Sequence, residues 1–313
     1  MDFRNCHPPH SNELLTHKAA REATDELATL LKDQQPITIS EVIRAGSLGH
    51  GTAVPGDFDL DMVIYSRDLD PHKVLEQGYD YWLEKLEKFL KRSSDVQFKN
   101  RTPHSVQFRY KELIDVDMLV TPWWDSVSQL SLFLDKIPVQ KRFPFSIGAS
   151  KWQVQFMQKQ DNEVKVLIQR AKAWRNKQWP NVYPGQKKPK SYFLSLLVLK
   201  AYQRAKKKFG NQIFRDMAEK TSYELKDLVL REDQQDIYWD DYYMMVGGTG
   251  NTILHDPPKP PRLLDPANPA NNLFDTGFTT TRTGDRSHDE GEGNWAEIKK
   301  KIETIDLTVD ITA

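Results

Sequence analysis

Residues 57–65 read Asp57-Phe58-Asp59-Leu60-Asp61-Met62-Val63-Ile64-Tyr65, and this stretch decides the fold because it sets carboxylates into an apolar strand pattern. Successive side chains of a strand point to opposite faces, so Asp59 and Asp61 are expected on one face. The other face then carries the apolar residues Phe58, Leu60 and Met62. Two neighbouring carboxylates repel each other unless a cation lies between them. The stretch therefore predicts a strand at about residues 58–65 that holds a cation.

A second acidic strand, Asp115-Val116-Asp117-Met118-Leu119, follows further along the chain. Asp117 supplies a third carboxylate, which completes an oxygen-rich site for two Mg²⁺ ions. Paired ions of this kind activate an attacking hydroxyl and neutralise a departing pyrophosphate. Asp115 shares the strand face of Asp117. The predicted metal-binding and catalytic residues are Asp59, Asp61 and Asp117.

A glycine-rich stretch precedes the first acidic strand, with Gly46, Gly49 and Gly51 following the apolar run at residues 41–45. A strand that leads into such a turn can aim backbone N–H groups at phosphate oxygens, and Ser47 adds a hydroxyl. The stretch is not a Walker loop, because no Gly-Lys-Ser/Thr follows it. The alternative is a tight hairpin turn before a strand whose aspartates face water.

The order of these motifs resembles the nucleotidyltransferases that include 2'-5'-oligoadenylate synthetase and cyclic GMP-AMP synthase. The matching segments are Gly46-Ser47, Gly49-His50-Gly51-Thr52, Asp59-Leu60-Asp61 and Asp117-Met118-Leu119. Two later segments are similar to oligoadenylate synthetase in particular. They are Ile237-Tyr238-Trp239-Asp240-Asp241-Tyr242-Tyr243 and Arg262-Leu263-Leu264-Asp265-Pro266-Ala267-Asn268-Pro269. The resemblance runs from about residue 11 to about residue 305.

The resemblance also extends to residues that contact the nucleotide. Lys172-Ala173-Trp174 is similar to the family's Lys-x-Trp pair, which implies that Lys172 contacts the triphosphate. Tyr192 matches the tyrosine that stacks on the donor base, whereas Ser191 departs from the glutamine usual in oligoadenylate synthetases and resembles cyclic GMP-AMP synthase. The alternatives are a solvated helix lysine and a half-buried tyrosine between lobes. The implied ATP-binding residues are Gly46, Ser47, Lys172, Ser191 and Tyr192.

The expected fold is α+β and bilobal. Residues 1–150 form a catalytic lobe with a mixed sheet and a bracing N-terminal helix, and residues 151–313 form a helical lobe with a mobile loop at 275–293. Helices are predicted at about 11–34, 71–92, 152–177, 190–208, 211–218, 222–230, 234–246 and 294–305. Strands are predicted at about 39–45, 58–65, 95–100, 105–111 and 113–120, and Pro257 to Pro261 form a rigid connector.

The resemblance implies a template-independent nucleotidyltransferase that makes 2'-5'-linked oligoadenylates from ATP, with pyrophosphate release and two Mg²⁺ ions as cofactors. It also implies stimulation by double-stranded RNA and a role in antiviral innate immunity. Binding of a phosphate backbone needs a cluster of basic side chains. The candidates are Lys18, Arg21, Lys32, Lys151, Lys159, Lys165 and Arg170. Acidic residues interrupt them, and a denser basic run at 204–208 lies at a predicted helix end.

Two other classes remain open. A cyclic-dinucleotide synthase of the same fold would use the same three aspartates but join two nucleotides head to tail. A catalytically dead RNA-binding relative would be expected to have lost at least one metal carboxylate.

Composition agrees with a cytoplasmic protein and leaves a nuclear location open. Lys and Arg together equal Asp and Glu at 44 each, so any site for nucleic acid must be a local patch. The single Cys6 excludes an internal disulfide and argues against a zinc module, which favours the oligoadenylate synthetase side of the resemblance. No signal peptide or spanning helix is recognisable, since the longest apolar run, Phe193 to Leu199, is far shorter than the roughly 20 residues needed.

Overall fold

The computed structural model describes residues 11–34, 37–57, 59–138, 141–180, 188–231, 236–237, 239, 262–273 and 298–310. The chain divides into two compact units, residues 1–123 and 124–313. This boundary lies before the division expected at residues 150 and 151. Residues 124–150, which include a helix at Val127–Asp135 that the sequence analysis missed, fall in the second unit.

A mixed five-stranded sheet forms the centre of the first unit. Its strands are β1 (Glu41–Arg44), β2 (Leu60–Ser66), β3 (Val96–Arg101), β4 (Ser105–Tyr110) and β5 (Ile114–Pro122), in the order β1-β2-β5-β4-β3. Strands β2 and β5 are parallel, and the other neighbours are antiparallel. The combination of this sheet with many helices confirms the α+β class.

One face of the sheet packs into the core of the first unit. Leu60 and Met62 are fully buried on this face, as the alternating pattern predicted, and Phe58 lies outside the described residues. On the other face, β2 itself is polar only at its first inward position, Asp61. Asp61 is half-buried there, while Val63 and Tyr65 are buried, as expected for a central strand that is covered on both sides.

Four helices accompany the sheet within the described part of the first unit. They are α1 (Ser11–Gln34), α2 (Gly46–His50), α3 (Pro71–Gln77) and α4 (Asp80–Leu90). The single helix expected at 71–92 was wrong in one respect, because it is interrupted at Gly78. This residue has a φ of 71° and ends α3 in a conformation that favours glycine.

Helix α1 is held to the turn between β4 and β5. Glu26 of α1 accepts hydrogen bonds from the Tyr110 hydroxyl at 3.0 Å and from the Lys111 ammonium at 2.9 and 2.7 Å. The hydrogen bonds from Lys111 and Tyr110 keep the pKa of the Glu26 carboxyl below its usual value. The turn itself places Lys111 and Glu112 at φ values of 48° and 58°, which non-glycine residues adopt infrequently.

The second unit is mainly helical. Its helices are α5 (Val127–Asp135), α6 (Ser150–Gln158), α7 (Asn162–Gln178), α8 (Ser191–Phe209) and α9 (Phe214–Leu230), with 3-10 helices at Phe143–Ala149 and Ile302–Thr304. The apolar run of α8 is buried from Phe193 to Leu199 and packs in one core with residues of α7 and α9. None of the helices in the described ranges combines the length and the apolar character needed to cross a bilayer.

Three predicted helices have boundaries that differ from those observed. The helix expected at 152–177 is two helices, α6 and α7, and the helices expected at 211–218 and 222–230 form one continuous α9. The missed α5 carries recognisable signals, since Ser126 caps its N-terminus by accepting from the Gln129 N–H, and Val127, Leu130 and Leu134 line one buried face.

A small sheet accompanies these helices. Its strands are β6 (Asp236–Ile237), β7 (Arg262–Asp265) and β8 (Asn268–Asn272). The helix predicted at 234–246 was wrong at residues 236–237, which pair with β7, and its remaining residues except Trp239 lie outside the described ranges. The connector at 257–261 and the loop at 275–293 also lie outside them. The last helix is confirmed over residues 298–304, ending in 3-10 turns.

Asp265 is fully buried, and its carboxylate connects three parts of the second unit. Its carboxylate accepts hydrogen bonds from Gln153 Nε2 of α6 at 2.5 Å, from the Tyr192 hydroxyl of α8 at 3.2 Å, and from the Ala267 N–H at 2.9 Å. A buried carboxylate is stabilised by donors of this kind, and removing it leaves them without an acceptor. The Leu-Asp-Pro-Ala-Asn motif therefore has a structural role.

We expect Asp265→Leu to lower the free energy of unfolding by about 3 kcal/mol or more, because three donors lose a buried, charged acceptor. Asp265→Asn should cost less, since its amide oxygen still accepts from Ala267. Urea denaturation measures both. Asp80→Leu is the control, because Asp80 is exposed in the first turn of α4 and is worth at most about 1 kcal/mol there. Equal losses at positions 80 and 265 would contradict the role of Asp265.

Candidate active site

The register of the sheet brings two of the predicted metal ligands together. Asp61 of β2 lies directly beside Asp117 of β5, and Gln107 of β4 lies beside Asp117 on its other side. Side chains opposite each other in neighbouring strands point to the same face. Asp61, Asp117 and Gln107 therefore form a polar row across three strands, and the sequence alone could not show this row.

Asp59 lies at the entry to this row. It is exposed and precedes the first residue of β2, while Asp57 forms an isolated bridge with Val54. Asp59 is near enough for its charge to act on Asp117. Among the described residues, no group of three or more His, Cys, Asp and Glu side chains is gathered closely enough to hold a metal ion. The three-aspartate metal site stays a prediction.

Asp117 has a perturbed carboxyl group. Burial raises its pKa above the usual value and the negative charge of Asp59 raises it further, whereas hydrogen bonding from Ser105 and Gln107 lowers it. Its Oδ1 is buried without a hydrogen-bond partner in the described part of the chain. An unsatisfied buried carboxylate oxygen beside a second carboxylate is costly, and a cation would stabilise it. The donor set thus fits a hard cation such as Mg²⁺.

Asp115 has a different environment from Asp117 although both belong to β5. Its Oδ1 lies 2.7 Å from Lys99 Nζ and 3.9 Å from Arg109 Nη1, and its side chain is about half exposed. This carboxylate is neutralised by surface cations. The structure therefore separates the two candidates of the acidic strand on electrostatic grounds.

The glycine-rich stretch is a short helix and not the open loop that was expected. Helix α2 follows Ala45, and Gly51 ends it in the left-handed region with a φ of 69°. The N–H groups of Gly49, Gly51 and Thr52 already donate to backbone carbonyls of the same segment. Only the first-turn N–H groups and the Ser47 hydroxyl match the predicted contact with phosphate, because a helix leaves its first N–H groups without partners.

Gly46 is required by its distance from Asp61. A Cβ atom at position 46 would lie 1.7 Å from Asp61 Oδ2, and the residue has a φ of 54°. Both the close approach and the backbone conformation strongly favour glycine at this position. The backbone at the start of α2 therefore packs directly onto the Asp61 carboxylate, which ties the glycine motif to the acidic motif.

The predicted nucleotide-contacting residues of the second unit are partly or fully buried. Lys172 of α7 is only 4% exposed, so it is not a solvated helix lysine. Tyr192 is half-buried and its hydroxyl donates to Asp265. Stacking on a base would use only the ring of Tyr192 and does not account for this hydrogen bond. Ser191 begins α8, and its carbonyl accepts from the Ser195 hydroxyl.

The predicted RNA-binding residues are divided between the two units. Lys18 and Arg21 are exposed on α1, and Lys18 pairs with Glu22 at 3.7 Å. In the second unit, Lys151 donates to the Trp124 carbonyl and Lys165 to the Gln158 carbonyl, while Lys159 is exposed. Of the additional candidates, Lys32 is exposed on α1, and Arg170 donates to the carbonyls of Leu307 and Thr308 and so anchors residues near the C-terminus.

A family model described as 2'-5'-oligoadenylate synthetase 1, domain 2, C-terminus, matches residues 106–281, more than half of the chain. The chain belongs to the 2'-5'-oligoadenylate synthetase family. It is 26% identical to 2'-5'-oligoadenylate synthase 1A of Rattus norvegicus over 81% of this chain and 78% of that protein. It is 25% identical to 2'-5'-oligoadenylate synthase 2 of Mus musculus over 82% of this chain, which spans 38% of that longer protein.

The fold of this family member is also found in a solved bacterial protein. The structure of E. coli MS115-1 CdnC with ATP has a TM-score of 0.57 and 19% identity, covering 93% of this chain and 85% of that one. At this identity the likeness concerns the fold alone. Membership of the oligoadenylate synthetase family, together with this fold, makes the chain a nucleotidyltransferase.

Sequence reasoning missed two groups of site residues in this oligoadenylate synthetase relative. Ser105 and Gln107 act on Asp117, and Gln153 acts on the Tyr192–Asp265 pair. A signal for the first group exists, because Ser105, Gln107 and Arg109 are the polar members of an alternating strand. The sequence showed that these three side chains share one face of their strand, but not which strand lies beside it in the sheet.

Gly46→Ala should reduce nucleotidyltransferase activity far more than it reduces stability, because the added methyl group would displace the Asp61 carboxylate. Gly56→Ala is a matched control, since Gly56 has a similar φ of 72° but open space around its Cβ position. Both variants should lose about 1–2 kcal/mol of stability from backbone strain. Product formation and thermal unfolding measure the two effects. Equal activity in the two variants would contradict the steric argument.

Proposed function

We propose that this chain joins ATP into 2'-5'-linked oligoadenylates and releases pyrophosphate. The observation that carries the proposal is the pairing of Asp61 with Asp117 across parallel strands, with Asp59 at the strand entry, in a member of the oligoadenylate synthetase family. The reaction is an in-line attack of an acceptor ribose hydroxyl on the α-phosphorus of ATP. It needs no template, because recognition of the nucleotides rests on the protein itself.

The three aspartates have distinct roles in this proposal. Asp59, Asp61 and Asp117 would hold two Mg²⁺ ions, which when bound supply positive charge to the triphosphate and lower the pKa of the attacking hydroxyl. Asp117 also accepts the hydroxyl proton. Burial of Asp117 supports this role, since the burial that raises the pKa of its carboxyl also makes the carboxylate a better base.

The chain's other residues bind and orient the substrates. Ser47 and the N–H groups at the start of α2 contact the terminal phosphates, and Gly46 lets the backbone approach. Lys172 and Ser191 bind the donor ATP. The ring of Tyr192 stacks on the base of the nucleotide, and the hydrogen bond from its hydroxyl to the Asp265 carboxylate holds the ring in place.

We further propose that double-stranded RNA stimulates this activity and that the protein acts in cytoplasmic innate immunity. Exposed basic side chains on α1 support a contact with phosphates. The RNA-binding residues would be Lys18, Arg21, Lys151, Lys159 and Lys165.

A cyclic-dinucleotide synthase is the second candidate function. The observation in its favour is Ser191 before Tyr192, which resembles cyclic GMP-AMP synthase more than oligoadenylate synthetase. The two functions give different products from the same three aspartates. The deciding experiment supplies the purified protein with Mg²⁺, ATP and GTP, followed by mass analysis and treatment with a 2'-5'-specific phosphodiesterase. Linear products that the phosphodiesterase degrades support the first function, and cyclic products that resist it support the second.

Combined Asp59→Ala and Asp61→Ala substitution should abolish product formation and leave the fold intact, since removing both carboxylates relieves their repulsion. Product chromatography and circular dichroism measure the two properties. Asp115→Asn is the control, because Asp115 is an acidic neighbour that is neutralised by Lys99 at the surface. Activity of the double variant within about tenfold of the parent, which corresponds to about 1.4 kcal/mol of barrier, would refute the metal site.

Duplex RNA should raise the rate of synthesis, and this rise should weaken steeply with salt because Lys and Arg displace counterions from phosphates. Combined Lys18→Glu and Lys165→Glu substitution should reduce the RNA-stimulated rate while sparing the RNA-independent rate. Lys73→Glu, at an exposed lysine on α3, serves as a charge-reversal control. A rate that is unchanged by RNA would remove RNA from the proposal and leave the catalytic assignment intact.

A further inference from the structure

A surface cleft of about 490 Å³ lies between helices α8 and α9 of the second unit. Its most buried side chain is Glu224 of α9, which is only 3% exposed. Glu224 lies 3.3 Å from Arg204 Nε and 3.1 Å from Lys208 Nζ, both on α8. Asp227, about one turn further along α9, lies 3.1 Å from Arg204 and 3.6 Å from Arg231. Neighbouring cations therefore neutralise both carboxylates of the cleft.

Positive charge exceeds negative charge in this cleft. Four basic side chains and two carboxylates line it, which leaves an excess of two positive charges. The fourth cation, Lys207, is exposed and forms no ion pair within the described part of the chain. The side chains of Lys208 and Arg231 are 57% and 56% exposed, so a ligand can reach their remaining N–H donors. Arg and Lys side chains grouped in this way suit the phosphate groups of an anionic ligand.

An exposed aromatic ring lines the same cleft. Tyr223 of α9 is 61% exposed, and the Lys208 ammonium lies 5.6 Å from the centre of its ring. A ring beside phosphate-binding cations offers a stacking surface for a nucleobase, whatever the base. The volume of the cleft falls within the range of small-ligand sites. The ring, the cations and the size together indicate a nucleotide that carries several phosphates.

Two simpler interpretations account for only part of the cleft. The dipole of α8 stabilises the three lysines of its last turn, Lys206 to Lys208, and Lys206 pairs with Asp161 outside the cleft. The dipole does not explain an exposed tyrosine beside these lysines. Duplex RNA supplies phosphates, but its bases are stacked inside the helix and present no free face to Tyr223. A nucleotide with an accessible base satisfies both kinds of side chain.

The cleft is separate from the residues assigned to the donor ATP. Ser191 and Tyr192 begin α8, whereas Arg204 follows Tyr192 by 12 residues, a rise of about 18 Å along the helix. The cleft therefore lies toward the opposite end of α8, within the same unit. A nucleotide bound there is additional to the donor ATP.

We propose that the α8–α9 cleft is a second nucleotide-binding site. Lys207, Lys208 and Arg231 bind the phosphates, and the base stacks on Tyr223. Two ligands share this chemistry, a free nucleoside triphosphate such as ATP and the 5'-triphosphate end of a linear oligoadenylate. The site itself requires only that the chain meets nucleotides as a nucleotidyltransferase, whereas the oligoadenylate as its ligand rests on the proposed function.

Photolabelling with 8-azidoadenosine 5'-triphosphate tests the site in the intact protein, because light attaches the base to the residues beside it. Trypsin then releases Tyr223 of the cleft in a peptide of residues 221–226 and Tyr192 in a separate peptide of residues 191–200. Mass spectrometry measures the label in each peptide. We expect both peptides to be labelled, each with its own concentration for half-maximal labelling.

Matched variants connect the label to the cleft. The concentration for half-maximal labelling of peptide 221–226 should rise about tenfold or more in Lys207→Glu, which loses a charge-assisted contact with phosphate. It should rise about fivefold or more in Tyr223→Leu, which loses the stacking ring, whereas Tyr223→Phe keeps the ring and should match the parent. Arg215→Glu is the charge-reversal control, because Arg215 is exposed in the first turn of α9 and does not line the cleft. Labelling of peptide 191–200 should be unchanged in all four variants.

Unlabelled competitors identify the ligand. ATP and 5'-triphosphorylated 2'-5'-linked triadenylate are both expected to displace the label from peptide 221–226, and the one that acts at the lower concentration is the ligand of the site. Inorganic tripolyphosphate should need a concentration about fivefold higher or more, since it has no base. Equal displacement by tripolyphosphate, or displacement by duplex RNA at a lower concentration than either nucleotide, would overturn the inference.

The outcomes separate this inference from the proposed function. Label on peptide 191–200 alone would overturn the cleft site and leave the proposed function intact. Label on peptide 221–226 alone would support the cleft site and contradict the donor-ATP contacts assigned to Ser191 and Tyr192, and absence of label from both peptides would overturn both. Equal half-maximal concentrations in Tyr223→Leu and Tyr223→Phe would overturn the stacking role and, with it, the assignment of the ligand as a nucleotide.

Discussion

The parallel pairing of β2 with β5 is the constraint on which the rest of the site depends. Its register sets Asp61 beside Asp117, and carboxylates in this position repel each other. The pairing survives because Leu60, Met62 and Met118 on the opposite face of the same strands are removed from water. Burial on one face thus holds two negative charges together on the other. A cation between the two carboxylates would relieve that repulsion, which is why the residues fit a metal.

The close approach of Gly46 follows from the same pairing. Strand β1 runs antiparallel to β2, and the chain leaves β1 at Ala45, whose N–H donates to the Asp61 carbonyl. The next residue must then pass the Asp61 side chain, where no Cβ atom fits. The glycine and the aspartate, which look like separate motifs in the sequence, are one packing unit.

In the second unit, the residues that look most like a family signature stabilise the fold. Asp265 accepts from Gln153, Tyr192 and Ala267, and the neighbouring Trp239 ring donates from its Nε1 to the Leu264 carbonyl at 2.9 Å while packing on Phe156. These contacts join helices α6 and α8 to the small sheet. A tyrosine tied to a buried carboxylate keeps one rotamer, and a fixed ring is a better platform for a base than a mobile one.

The sequence by itself determined the class of the fold, most strands and helices to within a few residues, the shared face of Asp61 and Asp117 within their strands, and the family. The alternation of apolar and polar residues in strands and the spacing of apolar residues in helices are local properties, so the amino-acid sequence alone shows them. Tertiary structure decided which strands are neighbours and in what register, because pairing depends on contacts between residues far apart in the chain. It alone brought Gly46 against Asp61, gave Asp117 its donors Ser105 and Gln107, turned the glycine stretch into α2, and made residues 236–237 a strand. Each of these depends on what lies across the sheet or core, and no local pattern encodes that.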